Sequence, residues 1–408
     1  MEVLVVRQGA LDVHKAQVTA CVRVPDQDGA RVQLVEQFAT TVPGLLVLGD
    51  WLRSHRVTHV VMEATGDYWK PVWHMLEEDF ELMLVNARHV KNVPGRKTDV
   101  GDPWLCQLAE AGLLQASFVA PKAIRDLRLL TRYRRTQIEE RKREAQRLHK
   151  ALEDTGIKLD CVATDILGKS GRAMLDALVN GTTDPQTLAD LALGKLRKKI
   201  PALRDALHGR FEALHATLIG AILAHLDFLD EQVASLSDAI EEQIAPFTAA
   251  RELLQSIPGV GQRTAEVIIA EIGTDMTAFP TAGHLASWAG QCPGNDQSAG
   301  KRRSGRTRKG SKHLNAALKD AAMAAIRTNN SYLQALYRRK KPQLGHGRAV
   351  GAVKHSIICA AWHMLSTGEL YTDLGGDYYA RRDPQRQTRR LVAQLQRLGH
   401  TVTLQEAA

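Results

Sequence analysis

The 408-residue sequence predicts an α/β domain built on a mixed sheet, followed by all-α regions. Three observations predict it. Residues 1–120 alternate short β-rich runs with amphipathic helical segments. From 121 onward apolar residues recur almost entirely at helical spacing. Four acids, Asp12, Glu63, Asp99 and Asp102, fall after apolar runs or on one helical turn within the first domain.

Five runs in that domain read as strands: VLVV, QVTACVRV, VQLVEQF, VTHVVM and ELMLV. Between the third and fourth, Pro43 to His55 carries Leu45, Leu46, Leu48 and Trp51 at helical spacing, and Tyr68 to Glu78 is a second helix. Three early strands, then helix, strand, helix, strand and helix, argue for a mixed sheet. Over 121–249 the pattern is a helical, coiled-coil arm. Leu127, Ile138, Ala145, Leu148 and Leu152 form one stripe, and Leu214, Leu218, Ile222, Leu226 and Leu229 form another within Asp205 to Glu241. Thr155 to Pro201 between them reads as a small helical cap. Residues 250–366 form a further helical domain around a basic loop, and 367–408 form a charged tail whose composition carries no functional reading.

Net charge is +9. Basic clusters lie at Arg132, Arg134 and Arg135, at Arg141 to Arg147, at Lys301 to Lys312 and at Arg338 to Lys341. Such clusters suit a polyanion, with nucleic acid the default partner. The five cysteines, Cys21, Cys106, Cys161, Cys292 and Cys359, are scattered with no zinc-ligand spacing. They fit a reducing cytoplasm. No signal-peptide pattern or 18-residue apolar run is expected to direct the chain to a membrane.

Asp12 ends the run in LVVRQGALDVHK, Glu63 ends the run in HVVMEATGDYW, and Asp99 and Asp102 sit three apart in RKTDVGDPW. Two strand ends and a helical turn can gather four carboxylates around a pair of divalent cations. Like charges that close are costly unless a metal neutralises them. Carboxylates rather than His or Cys suit Mg²⁺ or Mn²⁺, whose pairs serve phosphoryl transfer. The arrangement describes a ribonuclease-H-like nuclease core.

Two further motifs lie in the second half. In SIPGVGQRTAEVIIAEIG, Gly259 and Gly261 mark a tight turn before an apolar helix, a helix-hairpin-helix pattern whose backbone N–H groups suit a phosphate. In AGQCPGNDQSAGKRRSGRTRKGSKHLNAAL, Ser298 precedes Lys301, Arg302, Arg303, Arg306, Arg308 and Lys309. On the residues alone this reads as a mobile basic loop gripping phosphates, with Ser298 as a turn residue.

The segments LDVHK, VMEATGDYW, KTDVGD, IPGVG and PGNDQSAGKRRSGRTRKG, in that order, resemble the DEDD-type transposases of the IS110 group of insertion sequences and the related Piv-type DNA invertases. The resemblance covers nearly the whole chain. It implies a RuvC-like N-terminal domain, a long helical arm and a C-terminal transposase domain. It also implies Ser298 as a nucleophile that forms a covalent phosphoserine link to DNA, assisted by Mg²⁺ on Asp12, Glu63, Asp99 and Asp102. Target and donor DNA would be chosen through a structured noncoding RNA, and the protein would work as a dimer or tetramer, in the cytoplasm and nucleoid-associated when on DNA. The usual Ser-Gly-Gly-Lys segment here reads Ser298-Ala299-Gly300-Lys301, with Ser304 a nearby competitor. Pro103 stands where the family usually has alanine, which the first turn of a helix tolerates. Two other functions remain open on the sequence: a metal-dependent structure-specific nuclease like a Holliday-junction resolvase, and a nucleic-acid-binding scaffold with a decayed site.

Overall fold

A computed structural model describes residues 4–63, 66–91, 101–294 and 296–405, with the side chains of Arg88, Lys91, Asp102, Asp296, Arg302 and Arg303 outside that description. The chain divides into two units, Met1–Val119 and Ala120–Ala408.

In the first unit a five-stranded sheet has the order β3-β2-β1-β4-β5. Its strands are β1 (Gln8–Val13), β2 (Gln17–Pro25), β3 (Arg31–Ala39), β4 (His59–Glu63) and β5 (Glu81–Val85). β1, β2 and β3 are antiparallel, while β4 and β5 run parallel to β1, so the sheet is mixed. Side chains alternate between its faces. One face sends Leu11, Val13, Val60 and Met62 into a core with Leu45, Leu48 and Leu52 of helix α1 (Val42–Ser54) and Val72 and Leu76 of α2 (Trp69–Leu76). The other sends Ala10, Cys21, Val61 and Val85 against Val90 of α3 (Ala87–Lys91) and Leu105, Cys106 and Leu108 of α4 (Gly101–Glu110).

The first strand departs from expectation. Leu4 and Val6 of the VLVV run are exposed, and the strand is QGALDV instead. Gly9 sits within the strand, closely packed. A Cβ there would lie 3.3 Å from Val57 and Val60 side-chain carbons. The glycine marks close approach, not a turn. Asp12 is therefore inside the strand rather than beyond its end.

In the second unit α5 (Lys122–Thr155) and α10 (Ala213–Ile244) pack antiparallel: Arg134 meets Ser237, Arg141 meets Asp230 and Glu144 meets His225. Four short helices, α6 (Leu159–Val162), α7 (Lys169–Val179), α8 (Pro185–Asp190) and α9 (Ile200–Ala206), connect them and close one shared core. The α10 stripe is displaced from expectation. The helix starts at Ala213 and buries Ile219, Ile222, Leu223, Leu226 and Leu229, leaving Leu214 and Leu218 exposed. The stretch Ala213–Gln255 is long and apolar enough by composition to cross a membrane. Its apolar stripe nonetheless packs against α5 and its Asp227 and Asp230 hold arginines, as in a core helix.

The remaining elements are α11 (Thr248–Gln255), α12 (Gln262–Ile272), α13 (Ala282–Trp288), a hairpin of β6 (Asp296–Ser298) and β7 (Lys301–Ser304), α14 (Lys312–Ala325), α15 (Tyr332–Thr367), α16 (Tyr378–Arg382) and α17 (Pro384–Arg397). All five cysteines are free.

Candidate active site and nucleic-acid interface

Strand pairing places two of the four acids side by side. Leu11 of β1 is in register with Met62 of β4, so Asp12 and Glu63 follow as the next residues on adjacent parallel strands. Ala10 and Val61 point to the α4 face, and alternation puts Asp12 and Glu63 on that same face. Both are partly exposed, and Asp12 Oδ2 lies 3.2 Å from His14 Nε2, which orients the carboxylate.

Helix α4 runs back along β1 toward these acids. The Glu110 carbonyl at its C-terminus accepts from Leu4 N at 2.9 Å, and the Cys106 thiol one turn earlier donates to Gln8 O at 3.3 Å. Hydrogen bonding with Cys21 and burial push that thiol up, so it stays protonated as the donor. One further turn back, about 6 Å along the axis, is Asp102. That rise matches about two strand residues toward the C-terminal end of β1. Asp99 and the Asp102 side chain lie outside the described residues. Among the described residues no group of three His, Cys, Asp or Glu is close enough to hold a metal. What is described, two neighbouring carboxylates on one face, fits a hard, oxygen-preferring cation.

The helix is anchored by a residue that the sequence reading missed. Glu110 is almost fully buried, takes a hydrogen bond from Arg23 Nε at 2.8 Å and pairs with Arg31, tying α4 to β2 and β3. Burial and the neighbouring Arg23 hold the Arg31 guanidinium below its ordinary value. An acid at the end of an apolar helix gives no sign of a partner before the strands are placed.

Ser298 closes β6, paired across the hairpin with Lys301. Between them Ala299 has φ 49° and Gly300 φ 75°, the left-handed pair of a two-residue type I′ turn. Glycine suits both positions. Alanine at the first carries a cost of about 1 kcal/mol. The base of the hairpin is held by close backbone contact. A Cβ on Gly290 would lie 2.7 Å from Arg308 O and from Gly310 N. Ser298 is exposed, and no hydrogen bond engages its hydroxyl among the described residues. The Ser304 hydroxyl instead accepts from Arg306 N at 3.1 Å and serves the turn. Lys301, Arg306, Arg308 and Lys309 are exposed around it.

The base of this loop is also wired to α5. Ser311 caps α14 and its hydroxyl donates to Glu271 Oε2 at 2.8 Å, while Arg132 holds the same carboxylate at 2.7 and 2.9 Å. Burial pushes the Glu271 carboxyl up, but the hydrogen bonds and charge of Arg132 and the Ser311 donor outweigh it and hold the group below its ordinary value.

The two turn glycines differ. Gly259 has φ +88°, and a Cβ there would meet Ala321 O and lie 2.5 Å from Ala325 N, so it is fixed by packing on α14. Gly261 is the N-cap of α12, with open space around it. Its position leaves first-turn N–H groups of α12 toward solvent.

The α5 arginines overturn one expectation. Each of the six between Arg132 and Arg147 holds a carboxylate rather than lying free for phosphates. Arg132 pairs with Glu271, Arg134 with Glu266, and Arg135 with Glu139 and Asp320; Arg141 pairs with Asp230, Arg143 with Glu140 and Arg147 with Glu144. These charges assemble the helices.

Two family models match. A DEDD-type transposase model of the IS110 group covers residues 10–157, and the model described as "Transposase IS116/IS110/IS902 family" covers 251–338. Two separate segments of the chain are thus similar to IS110-family transposases. Relatives agree with the IS110-family match. An uncharacterized 43.6 kDa protein of insertion element IS110 from Streptomyces coelicolor is 34% identical over 190 residues, 46% of this chain and 42% of the relative. An uncharacterized 42 kDa protein of IS900 from Mycobacterium paratuberculosis is 29% identical over 163 residues, 39% of this chain and 40% of the relative. The mini-circle protein of IS117 from Streptomyces coelicolor, named as a transposase, is 31% identical over 111 residues, 27% of this chain and 25% of the relative. Each match thus spans less than half of the relative it meets.

Proposed function

We propose that the protein is a DNA transposase and site-specific recombinase that cleaves and rejoins insertion-element DNA, with Ser298 as nucleophile and Asp12, Glu63, Asp99 and Asp102 as a Mg²⁺- or Mn²⁺-binding tetrad. The observation that carries this reading is the pairing of Asp12 and Glu63 on one face of adjacent parallel strands, the face that α4 covers. The exposed Ser298 hydroxyl, with no hydrogen-bond partner among the described residues, at a basic hairpin tip supports the nucleophile.

In the proposed step Ser298 Oγ bonds to a DNA phosphorus as the phosphodiester bond to the departing strand breaks, and the serine proton ends on that strand's oxygen. Attack by a hydroxyl of a second strand reverses the chemistry, releases Ser298 and joins the new partners. Lys301, Arg306, Arg308 and Lys309 hold the phosphate and offset its charge. Arg302 and Arg303 belong to the same basic segment. Divalent ions on the carboxylates would supply charge neutralisation at the reacting phosphate. Selection of target and donor by a structured element-encoded RNA, assembly as a dimer or tetramer, and α5 with α10 as a coiled-coil arm complete the proposal. The domain division at 120, 249 and 366, a helix-hairpin-helix role for Gly259 and Gly261 and a cytoplasmic, DNA-associated location belong to it as well.

The paired carboxylates alone would equally serve a structure-specific nuclease of Holliday-junction-resolvase type. The test is a denaturant-resistant, protease-sensitive protein–DNA adduct formed with element DNA. It is expected in wild type with divalent metal and absent in Ser298→Ala. Free cleaved ends in both proteins would favour the nuclease. Asp12→Ala with every activity intact would favour a scaffold with a decayed site.

A further inference from the structure

The six arginines between Arg132 and Arg147 hold carboxylates, as described above. Most basic residues near the C-terminus do not. Segments 338–348 and 377–397 together hold eleven arginines and lysines against two aspartates, an excess equal to the net +9 of the whole chain. Both aspartates are engaged: Asp377 with Arg381 at 3.0 Å, and Asp383 as the cap of α17, accepting from Arg386 N at 3.0 Å. Among the described residues no carboxylate pairs with Arg338, Lys341, Arg348, Arg386, Arg389 or Arg390, and all six are exposed.

The two segments meet through α16. The Arg339 guanidinium lies 4.3 Å above the Tyr379 ring, and Tyr332 packs on Tyr378 and Tyr379 at 5.2 and 5.8 Å. This joins α16 to the start of α15, beside the exposed run 341–348 that bends at Gly345. On α17, Arg386, Arg389, Arg390 and Arg397 fall within about 100° of one face at about 100° per residue. Leu391 and Leu395 occupy the opposite face.

We infer that this C-terminal surface, made of the early part of α15 with α16 and α17, is a second DNA-holding site, separate from the serine hairpin, that grips the phosphate backbone of duplex DNA. The tyrosine rings stack on one another and on Arg339, so they offer no platform for unpaired bases. Exposed cations without a carboxylate partner among the described residues suit the phosphate backbone of a double helix. The inference rests on DNA being the substrate, and it leaves the serine chemistry untouched.

The test titrates the full-length protein with a fluorescent ~30-bp duplex of arbitrary sequence between ~50 and ~200 mM salt. Wild type is compared with the triple variant R386Q/R389Q/R390Q. Loss of these contacts should lower the log–log salt slope by about 3 and weaken binding about tenfold at the lower salt. The variant should keep its thermal midpoint and, at saturating DNA, still form the Ser298-dependent adduct. An unchanged slope overturns the inference. So does a loss confined to duplex RNA, or a loss confined to vesicles of anionic lipid, for which the Leu391 and Leu395 face would then be responsible. A lowered slope alongside an adduct that survives Ser298→Ala would uphold this surface and defeat the serine reading.

Discussion

Gly259 and Gly261 stand two residues apart in one turn and are held by different forces. Gly259→Ala would force φ +88° on a side chain and drive a Cβ into the backbone of α14. A stability loss of about 2–4 kcal/mol is expected in urea unfolding. Gly261→Ala meets open space, and the loss of a favoured cap should cost about 1 kcal/mol or less. Equal losses at both positions would show that the packing on α14 is not what fixes Gly259. At the same scale, Ala299→Gly relieves a left-handed alanine and should raise amide-exchange protection in β6 and β7. Single residues were legible where one local rule decided them. Alternation along VVME put Glu63 on a predictable face. The VLVV run misled because its apolar side chains Leu4 and Val6 are exposed, and the strand instead packs through Gly9, Ala10 and Leu11.

Among the elements, α12, α14 and α5 are joined through Glu271, Arg132 and Ser311. The Glu271 carboxyl is held below its ordinary value in the folded state. Its contribution is therefore complete above the unfolded glutamate value, about 4.3, and is lost as pH falls through the folded value. The melting-temperature gap between wild type and Glu271→Gln should be widest near neutral pH and close on acidification. A gap that widens on acidification would contradict that sign. Deeper in the same bundle, Arg134 and Glu266 are both buried and pair at 2.5 Å. Removing either partner alone leaves an uncompensated buried charge, and Arg134→Ala should cost about 3–5 kcal/mol. These arginines explain why charge reading alone went astray. In sequence both Arg132 to Arg147 and Arg338 to Lys341 read as basic, and carboxylates that meet Arg132, Arg134, Arg135 and Arg141 come from residues about 90 to 185 positions distant.

For the whole molecule, the mixed sheet was legible because period-two runs and helical stripes alternate cleanly over residues 1–120. The placement of β1, the starting point and buried face of α10, and the anchoring of α4 by Glu110 were not, because each is decided by contacts between distant segments. The same holds for Arg132, Arg134 and Arg141, which distant carboxylates take up, while the serine hairpin and the C-terminal helices carry exposed cations. Salt-dependent DNA binding should therefore respond to substitutions at Lys301–Lys309 and 386–390, and hardly at all to Arg141→Gln, whose partner is Asp230.

The central claim is that Ser298 becomes covalently linked to DNA in a reaction that depends on the acidic tetrad. The most direct measurement is peptide mass spectrometry of the protein trapped on element DNA after nuclease digestion, with Asp12→Asn as the comparison. The account predicts a nucleotide adduct on the peptide containing Ser298, localised to that serine rather than Ser304, and absent from Asp12→Asn. Cleaved DNA with no modified serine, or the nucleotide attached at Ser304, would contradict it.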